Sequence, residues 1–185
     1  MKRLLLIICF IMLSMMYVKA EAATQIVYSG DYAIGINDLQ VSSLGNYDVT
    51  FTFGTATDLF NATGSNVGDW DFPGAVTVGA DALMAAQAIR DTLNAPDPNV
   101  QIINNTYTEY YIPFYRSSAG NDNIGAWDGT WSDNQWNVDP ASSATISRYD
   151  QCLYAKFTPV PIPGAVWLFG SGLIGIVSVR RKINK

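Results

Sequence analysis

Apolar and polar residues alternate with a period of two near the front of this chain. In "YDVTFTF", Tyr47, Val49, Phe51 and Phe53 fall on one side and Asp48, Thr50 and Thr52 on the other. That is the pattern of a strand with one buried face. "QIVYSGDYAIGIN" is likewise rich in β-branched and aromatic residues, interrupted by Gly30 and Gly35. "SSLGN" lies between the two and carries turn chemistry. Together they predict an early β-hairpin or meander.

The period then lengthens. In "ADALMAAQAIRDTLN", Ala82, Ala86, Ile89 and Leu93 fall on a single helical stripe. A helix is predicted from about Asp81 to Leu93, with Asp81 as N-cap or first-turn acid and Asn94 and Pro96 ending it. The preceding "TATDLFNATGSNVGDWDFPG" is polar and glycine-rich and reads as a loop. After the helix, "VQIINN" and "TYTEYYIPFYRS" read as strands, and "AGNDNIGAWDGTWSDNQWNVDP" as a long loop or short-strand region. "SATISRYDQCLYAKFTPV" reads as one final strand. No repeat of fixed period is present. The order predicts an α+β fold: a small antiparallel sheet with one helix packed on one face.

Both ends of the chain depart from this alternation. Lys2 and Arg3 precede an apolar run that extends, past Ser14, to Val18, and small residues follow. These are the three regions of a secretory signal peptide. Ala20 and Ala22 form an A-x-A site, so cleavage is expected after Ala22, with a cut after Ala20 as the alternative. Signal peptidase and the Sec translocon are the implied partners. The expected organisation is a signal peptide over 1–22, an exported body over 23–158 and a tail over 159–185.

The tail has three parts. Pro159, Pro161 and Pro163 alternate in an extended stem, an uncharged apolar run fills 164–179, and Arg180, Arg181 and Lys182 follow. Sixteen residues at ~1.5 Å each make about 24 Å of helix, near the hydrocarbon thickness of a bilayer once the flanking residues snorkel. A transmembrane helix is therefore expected over about 164–180. The basic cluster would stop translocation and remain on the cytoplasmic side. "VPIPGAVWLFGSGLIGIVSVRRK" resembles the PEP-CTERM sorting signal of Gram-negative bacteria, and more narrowly its VPLPA-type variant. The resemblance implies a sorting motif at Val160, Pro161, Ile162 and Pro163, with Pro-Ile-Pro where the name-giving pattern has Pro-Glu-Pro. It also implies recognition by an exosortase, anchoring in the inner membrane with the body outside, and release to the cell surface or an exopolysaccharide-rich extracellular matrix. The body, with its "YDVTFTFGTATDLF" followed by an Ala-rich helix, is similar to a recurrent type of exported PEP-CTERM protein, to which no activity is attached.

Composition narrows the chemistry. The whole chain carries a net charge of −5, and the basic residues of the body reduce to Arg90, Arg116, Arg148 and Lys156. So acidic a body is repelled by nucleic acid. The chain has no histidine, which excludes serine–histidine–aspartate triads, cysteine–histidine dyads and histidine metal sites within it. No glycine-rich phosphate loop with lysine occurs, and no cofactor is implied. Once the signal peptide is removed Cys152 is the only cysteine, so no internal disulfide can form. It is either a small apolar core residue or a thiol able to pair between chains.

Three groups of residues merit a functional reading beside a structural one. Asp69 and Asp71 flank Trp70, as carboxylates beside an aromatic ring do in a glycosidase cleft, although aspartates also serve as turn formers. Asn121, Asp122, Asn123 and Asp128 offer hard oxygen ligands for calcium, but lack the EF-hand spacing and its closing glutamate. Trp127, Trp131 and Trp136, with Tyr107, Tyr110, Tyr111 and Tyr115, either fill the core of the sheet or form a sugar-stacking platform. The expected protein is a non-enzymatic, exported surface or matrix protein. The alternative is a carbohydrate-binding module or glycan-acting enzyme using the Trp and Asp loops.

Overall fold

The computed structural model describes residues 23–62, 71–72, 79–102, 108–116 and 122–160. The signal-peptide cleavage site at Ala22, the motif residues Pro161, Ile162 and Pro163, the apolar run and the Arg180, Arg181, Lys182 cluster lie outside the described residues, as do Asp69, Trp70, Tyr107 and Asn121.

The fold is α+β. Among the described residues eight strands, β1 (Gln25–Ser29), β2 (Tyr32–Val41), β3 (Gly45–Gly54), β4 (Glu109–Arg116), β5 (Asn123–Ser132), β6 (Gln135–Asn137), β7 (Ala144–Ser147) and β8 (Cys152–Pro159), join in one sheet. Its order is β1-β2-β3-β8-β4-β5-β6, with β7 also pairing β5. The sheet is mixed rather than purely antiparallel. β8 enters between β3 and β4, antiparallel to the first and parallel to the second. The last of the described strands is thus central in the sheet.

Helix α2 (Ala80–Asn94) buries Ala82, Ala85, Ala86, Ile89 and Leu93 on one face of this sheet. It touches β2 near one edge and β5 and β6 at the other, so the sheet curls round it. The core between them contains Ile36, Leu39, Val49, Phe51, Tyr110, Ile112, Trp127 and Trp136. Gly79 is the N-cap of the helix, and Asp81 takes the second of its two expected places, as an acid in the first turn. Gly79 has φ +49°, and a Cβ there would come within 2.5 Å of the Phe114 ring, so glycine meets a conformational and a steric demand at once.

On the opposite face, the short helix α1 (Ala56–Phe60) covers Tyr154 and Ile124 and forms a second, smaller core with Ala62. This helix lies in a segment the polar composition assigns to loop. Thr55 caps it, its Oγ1 accepting from the Asp58 backbone N–H at 3.1 Å and donating to Asp58 Oδ2 at 2.7 Å. A single helical turn is too short to show periodicity, and only the Thr55–Asp58 spacing marked it.

Two other expectations are corrected. The segment predicted as a long loop or short-strand region is largely strand, and longer than expected: β5 runs for ten residues and is followed by β6 after a two-residue turn. Its glycines are not breakers, since Gly129 lies beneath the Tyr110 ring, where a Cβ would come within 2.2 Å of ring carbon. The predicted single final strand is two, β7 and β8, separated by a turn at Arg148. Arg148 is buried in that turn, pairing with Asp122 at 2.8 Å and donating to the Ala62 carbonyl at 3.2 Å. It ties the start of β5, the exit of α1 and the β7–β8 turn together. Among the described residues no helix is long and apolar enough to cross a membrane.

Candidate functional site

The structure separates the tryptophans. Trp127 and Trp136 are core residues, with their indole N–H groups donating inward to the carbonyls of Gly79 (2.9 Å) and Val100 (2.8 Å). Tyr110 is equally buried, its hydroxyl donating to the Ala86 carbonyl at 2.9 Å. An interior hydrogen bond is what a buried indole or phenol requires, and it removes these rings from any surface platform. Trp131 differs. It is half-buried at the end of β5, braced edge-on against Trp136 with ring centroids 5.4 Å apart.

Trp131 lines a shallow groove of about 470 Å³ at one end of the sheet, with Asp31, Tyr32, Pro98, Asn99, Gln101 and Asn134. Three connections converge there: the β1–β2 turn, the chain leaving α2 and the β5–β6 turn. The segment after α2 is held in place by backbone contacts. Ala33 N–H donates to the Gln101 carbonyl at 2.8 Å, and Ile102 forms an isolated parallel bridge with Ala33. Asn99 Nδ2 donates to the Asn134 carbonyl at 2.8 Å, closing the groove's far wall. Asp133 and Asn134 both have positive φ in the β5–β6 turn, a geometry Asn and Asp tolerate better than other side chains. One aromatic plane, a phenol, amides and a carboxylate suit a neutral, hydroxyl-rich ligand. Among the described residues, the lining contains no basic side chain to neutralise an anion.

The carboxylate candidates are dispersed. Asp71 accepts the Phe157 backbone N–H on Oδ2 at 2.8 Å. Beyond its contact with β4 at Tyr111 and Tyr154, β8 needs another acceptor, and Asp71 supplies it. Burial pushes the Asp71 carboxyl above its usual range, against the opposing pull of that N–H and of Lys156. Asp71 is therefore a structural acceptor of the sheet. Asp122 is held by Arg148, and Asp128 lies six residues further along an extended segment, about 20 Å away at the rise of a strand. These two oxygens cannot share one calcium ion. Among the described residues, no three His, Cys, Asp or Glu side chains gather as a metal site.

Sequence reasoning missed a titratable patch on the face opposite α2, where Tyr111 pairs across strands with Asp128 and Glu109 with Thr130. The Tyr111 hydroxyl donates to Glu109 Oε2, and Thr130 Oγ1 donates to Asp128 Oδ2 at 3.1 Å. Burial pushes up Asp128, with Glu109 adding to the rise, and it pushes up the Tyr111 phenol, reinforced by the hydrogen bond to Glu109. Burial and the nearby Asp150 push up the Cys152 thiol, and the neighbouring Tyr154 phenol is raised by burial as well. For Asp128, Tyr111, Cys152 and Tyr154 alike, the surroundings favour the protonated form. A nucleophilic thiol requires the reverse, a pKa lowered toward neutrality, so this patch lacks an activated nucleophile. The alternation of β4 and β8 placed these residues on one face, but no spacing in the sequence showed that the two strands meet.

No family model, no curated protein and no solved structure matches this chain.

Proposed function

We propose that this chain is an exported protein of a Gram-negative cell surface or extracellular matrix, delivered by an exosortase through its C-terminal tail. The observation that carries this reading is the three-part pattern of residues 160–185: proline stem, apolar run and terminal basic cluster. In this reading the signal peptide over 1–22 takes the chain through the Sec translocon. The transmembrane helix at about 164–180 then holds it in the inner membrane with the body outside. The acidic body plays no part in nucleic-acid binding.

The limits of the sheet fit this organisation. β1 begins at Gln25, three residues past Ala22. At the other end, the Val160 N–H donates to the Asn46 carbonyl at 3.0 Å, at the first residue of the motif. Cleavage after Ala22 and processing beyond Val160 therefore leave all eight strands intact. The test is the mass and fractionation of the native chain in strains with and without the exosortase. A shorter, released chain is expected only where the enzyme is present. Identical mass and fractionation in both strains would refute sorting and leave an ordinary tail anchor.

A second reading concerns the body, and the Trp131 groove favours it. It is a glycan-binding module in which the indole stacks on a sugar ring and Asn99, Gln101, Asn134 and Asp31 engage hydroxyls. The core positions of Trp127 and Trp136 remove those two rings from this reading, which leaves Trp131 among the described tryptophans, with Tyr32 beside it. Glycan-array binding of the full chain, compared with a Trp131→Ala variant, tests it.

A further inference from the structure

We infer that β1 is a self-association edge, pairing antiparallel with β1 of a second copy of this chain. The strand stands at the end of the sheet, and among the described residues nothing pairs with its outer side. An open edge presents unpaired N–H and C=O groups, which proteins usually guard with lysine, proline or a very short strand. The opposite end of the sheet is guarded in that way, because β6 has three residues and β7, which also pairs β5, has four. β1 has five residues, Gln-Ile-Val-Tyr-Ser, with no charge and no proline.

A second copy is the occupant because the strand is complementary to itself. Centred on Val27, an antiparallel pair sets Ile26 opposite Tyr28 of the other copy and Gln25 opposite Ser29. Every cross-strand pair is then uncharged or apolar. Two strongly acidic bodies repel over most of their surfaces, and this uncharged edge is where they can approach. The space beside β1 fits the same arrangement. A groove of about 500 Å³ runs along the strand, lined by Ile26, Tyr28, Ala95 and Pro96 together with Thr24, Thr92 and Asp91, whose carboxylate is paired with Arg90 at 2.7 Å, and Tyr28 is 49% exposed beside it. A two-fold axis through Val27, normal to the sheet, keeps both α2 helices on one side and brings each Tyr28 ring toward the other copy's Ile26. The interface is small, so association is expected to be weak and concentration-dependent.

The experiment uses the full chain in detergent, with Cys9→Ser and Cys152→Ser removing its own thiols. A single cysteine is then introduced by Val27→Cys, or by Thr145→Cys on β7 as a control. Under mild oxidation at a concentration where the native chain is partly dimeric in sedimentation velocity, Val27→Cys should form a disulfide-linked dimer at least ten times faster than the control. In parallel, Val27→Glu in the otherwise native chain sets like charges opposite each other. It should convert dimer to monomer in sedimentation velocity, with the thermal midpoint held within a degree or two. Equal cross-linking rates would overturn the inference, because they would mean that the edge is covered by another part of the chain or meets no second copy. A Val27→Glu variant that folds and associates as the native chain does would overturn it as well.

Discussion

The Asn94 side chain bonds the Trp136 backbone in both directions. Its Nδ2 donates to the Trp136 carbonyl at 2.9 Å, and its Oδ1 accepts the Trp136 N–H at 2.9 Å. The last residue of α2 thus takes the place of a neighbouring strand for β6, at the edge of the sheet. This explains how a three-residue strand holds its position. It also places the Trp136 indole where it reaches the Val100 carbonyl.

Asn94→Ala should therefore cost about 1–3 kcal/mol, since two partly buried backbone groups lose their partner together. Asn94→Asp keeps the acceptor for the Trp136 N–H but sets a carboxylate against the Trp136 carbonyl, and it should cost at least as much. Urea denaturation of both variants measures this. An aspartate variant as stable as the native chain would show that the carbonyl contact contributes nothing.

The contact between Tyr110 and Gly129 sets a second expectation. The ring occupies the space a Cβ would need, so Gly129→Ala should destabilise the fold by about 1–3 kcal/mol or more through overpacking. Shortening the ring should relieve part of that cost. In a double-mutant cycle with Tyr110→Leu, the two changes should together cost less than their sum. Simple additivity would mean that the ring does not bear on the glycine.

These contacts also mark where the sequence stopped being readable. The alternation of Tyr47, Val49, Phe51 and Phe53 and the stripe of Ala82, Ala86, Ile89 and Leu93 carried the early strand and the main helix, because each element buries one face with its own period. In β2 the period fails. The ladder to β3 shifts between Ile36 and Leu39, where Asp38 has φ +53°, and the shift turns both Ile36 and Leu39 into the core. The Gly and Asp residues of β5 suit turns in general and leave loop and short strand equally open in the sequence, whereas in the fold Gly129 makes room for a ring on another strand. The position of β8 between β3 and β4 is a long-range pairing that no local pattern encodes. The candidate site was half legible. Trp131 was among the marked rings, but its separation from Trp127 and Trp136 depends on which indoles find interior carbonyls.

The Asp71 carboxyl gives a pH dependence of known sign. Its pKa is raised in the fold, so the folded chain binds this proton more tightly than the unfolded chain. The resulting stability is fully present below the unfolded value, near about 4, and is lost as pH rises through the higher folded value. At pH 7 the ionised carboxylate is a burden on the fold. Asp71→Asn retains an oxygen to accept the Phe157 N–H and removes the charge. It should raise the urea midpoint at pH 7 and differ little from the native chain at pH 4. A gain that is the same at both pH values would rule out the carboxylate's ionisation as its source.

The groove reading makes its own demand on Trp131. If the indole is the stacking plane, Trp131→Ala should weaken glycan binding by about 1–3 kcal/mol, or roughly fivefold to 150-fold in affinity, of the size that alanine removal of a contact aromatic produces. Asn137→Ala, on the neighbouring strand but outside the groove, should bind as the native chain does. Loss of binding in both variants would point to disturbance of the β5–β6 turn in place of a stacking contact.

The basic cluster of the tail can be tested apart from the exosortase. Arg180, Arg181 and Lys182 follow an apolar run of marginal length for a membrane span. Each cationic side chain costs ~2.5–3.5 kcal/mol at mid-membrane even on insertion scales, so three together form a firm barrier to further translocation. On the proposed reading they hold the tail in the inner membrane, with the proline stem at the outer surface where the enzyme can reach it. In a strain lacking the exosortase, the native chain should accumulate in the membrane fraction at its full length after signal-peptide removal. Replacing the three residues with serine in that strain should move a measurable share of the uncut chain into the periplasm. If the serine variant stays in the membrane as completely as the native chain, the apolar run anchors the tail alone and the cluster is not the stop signal.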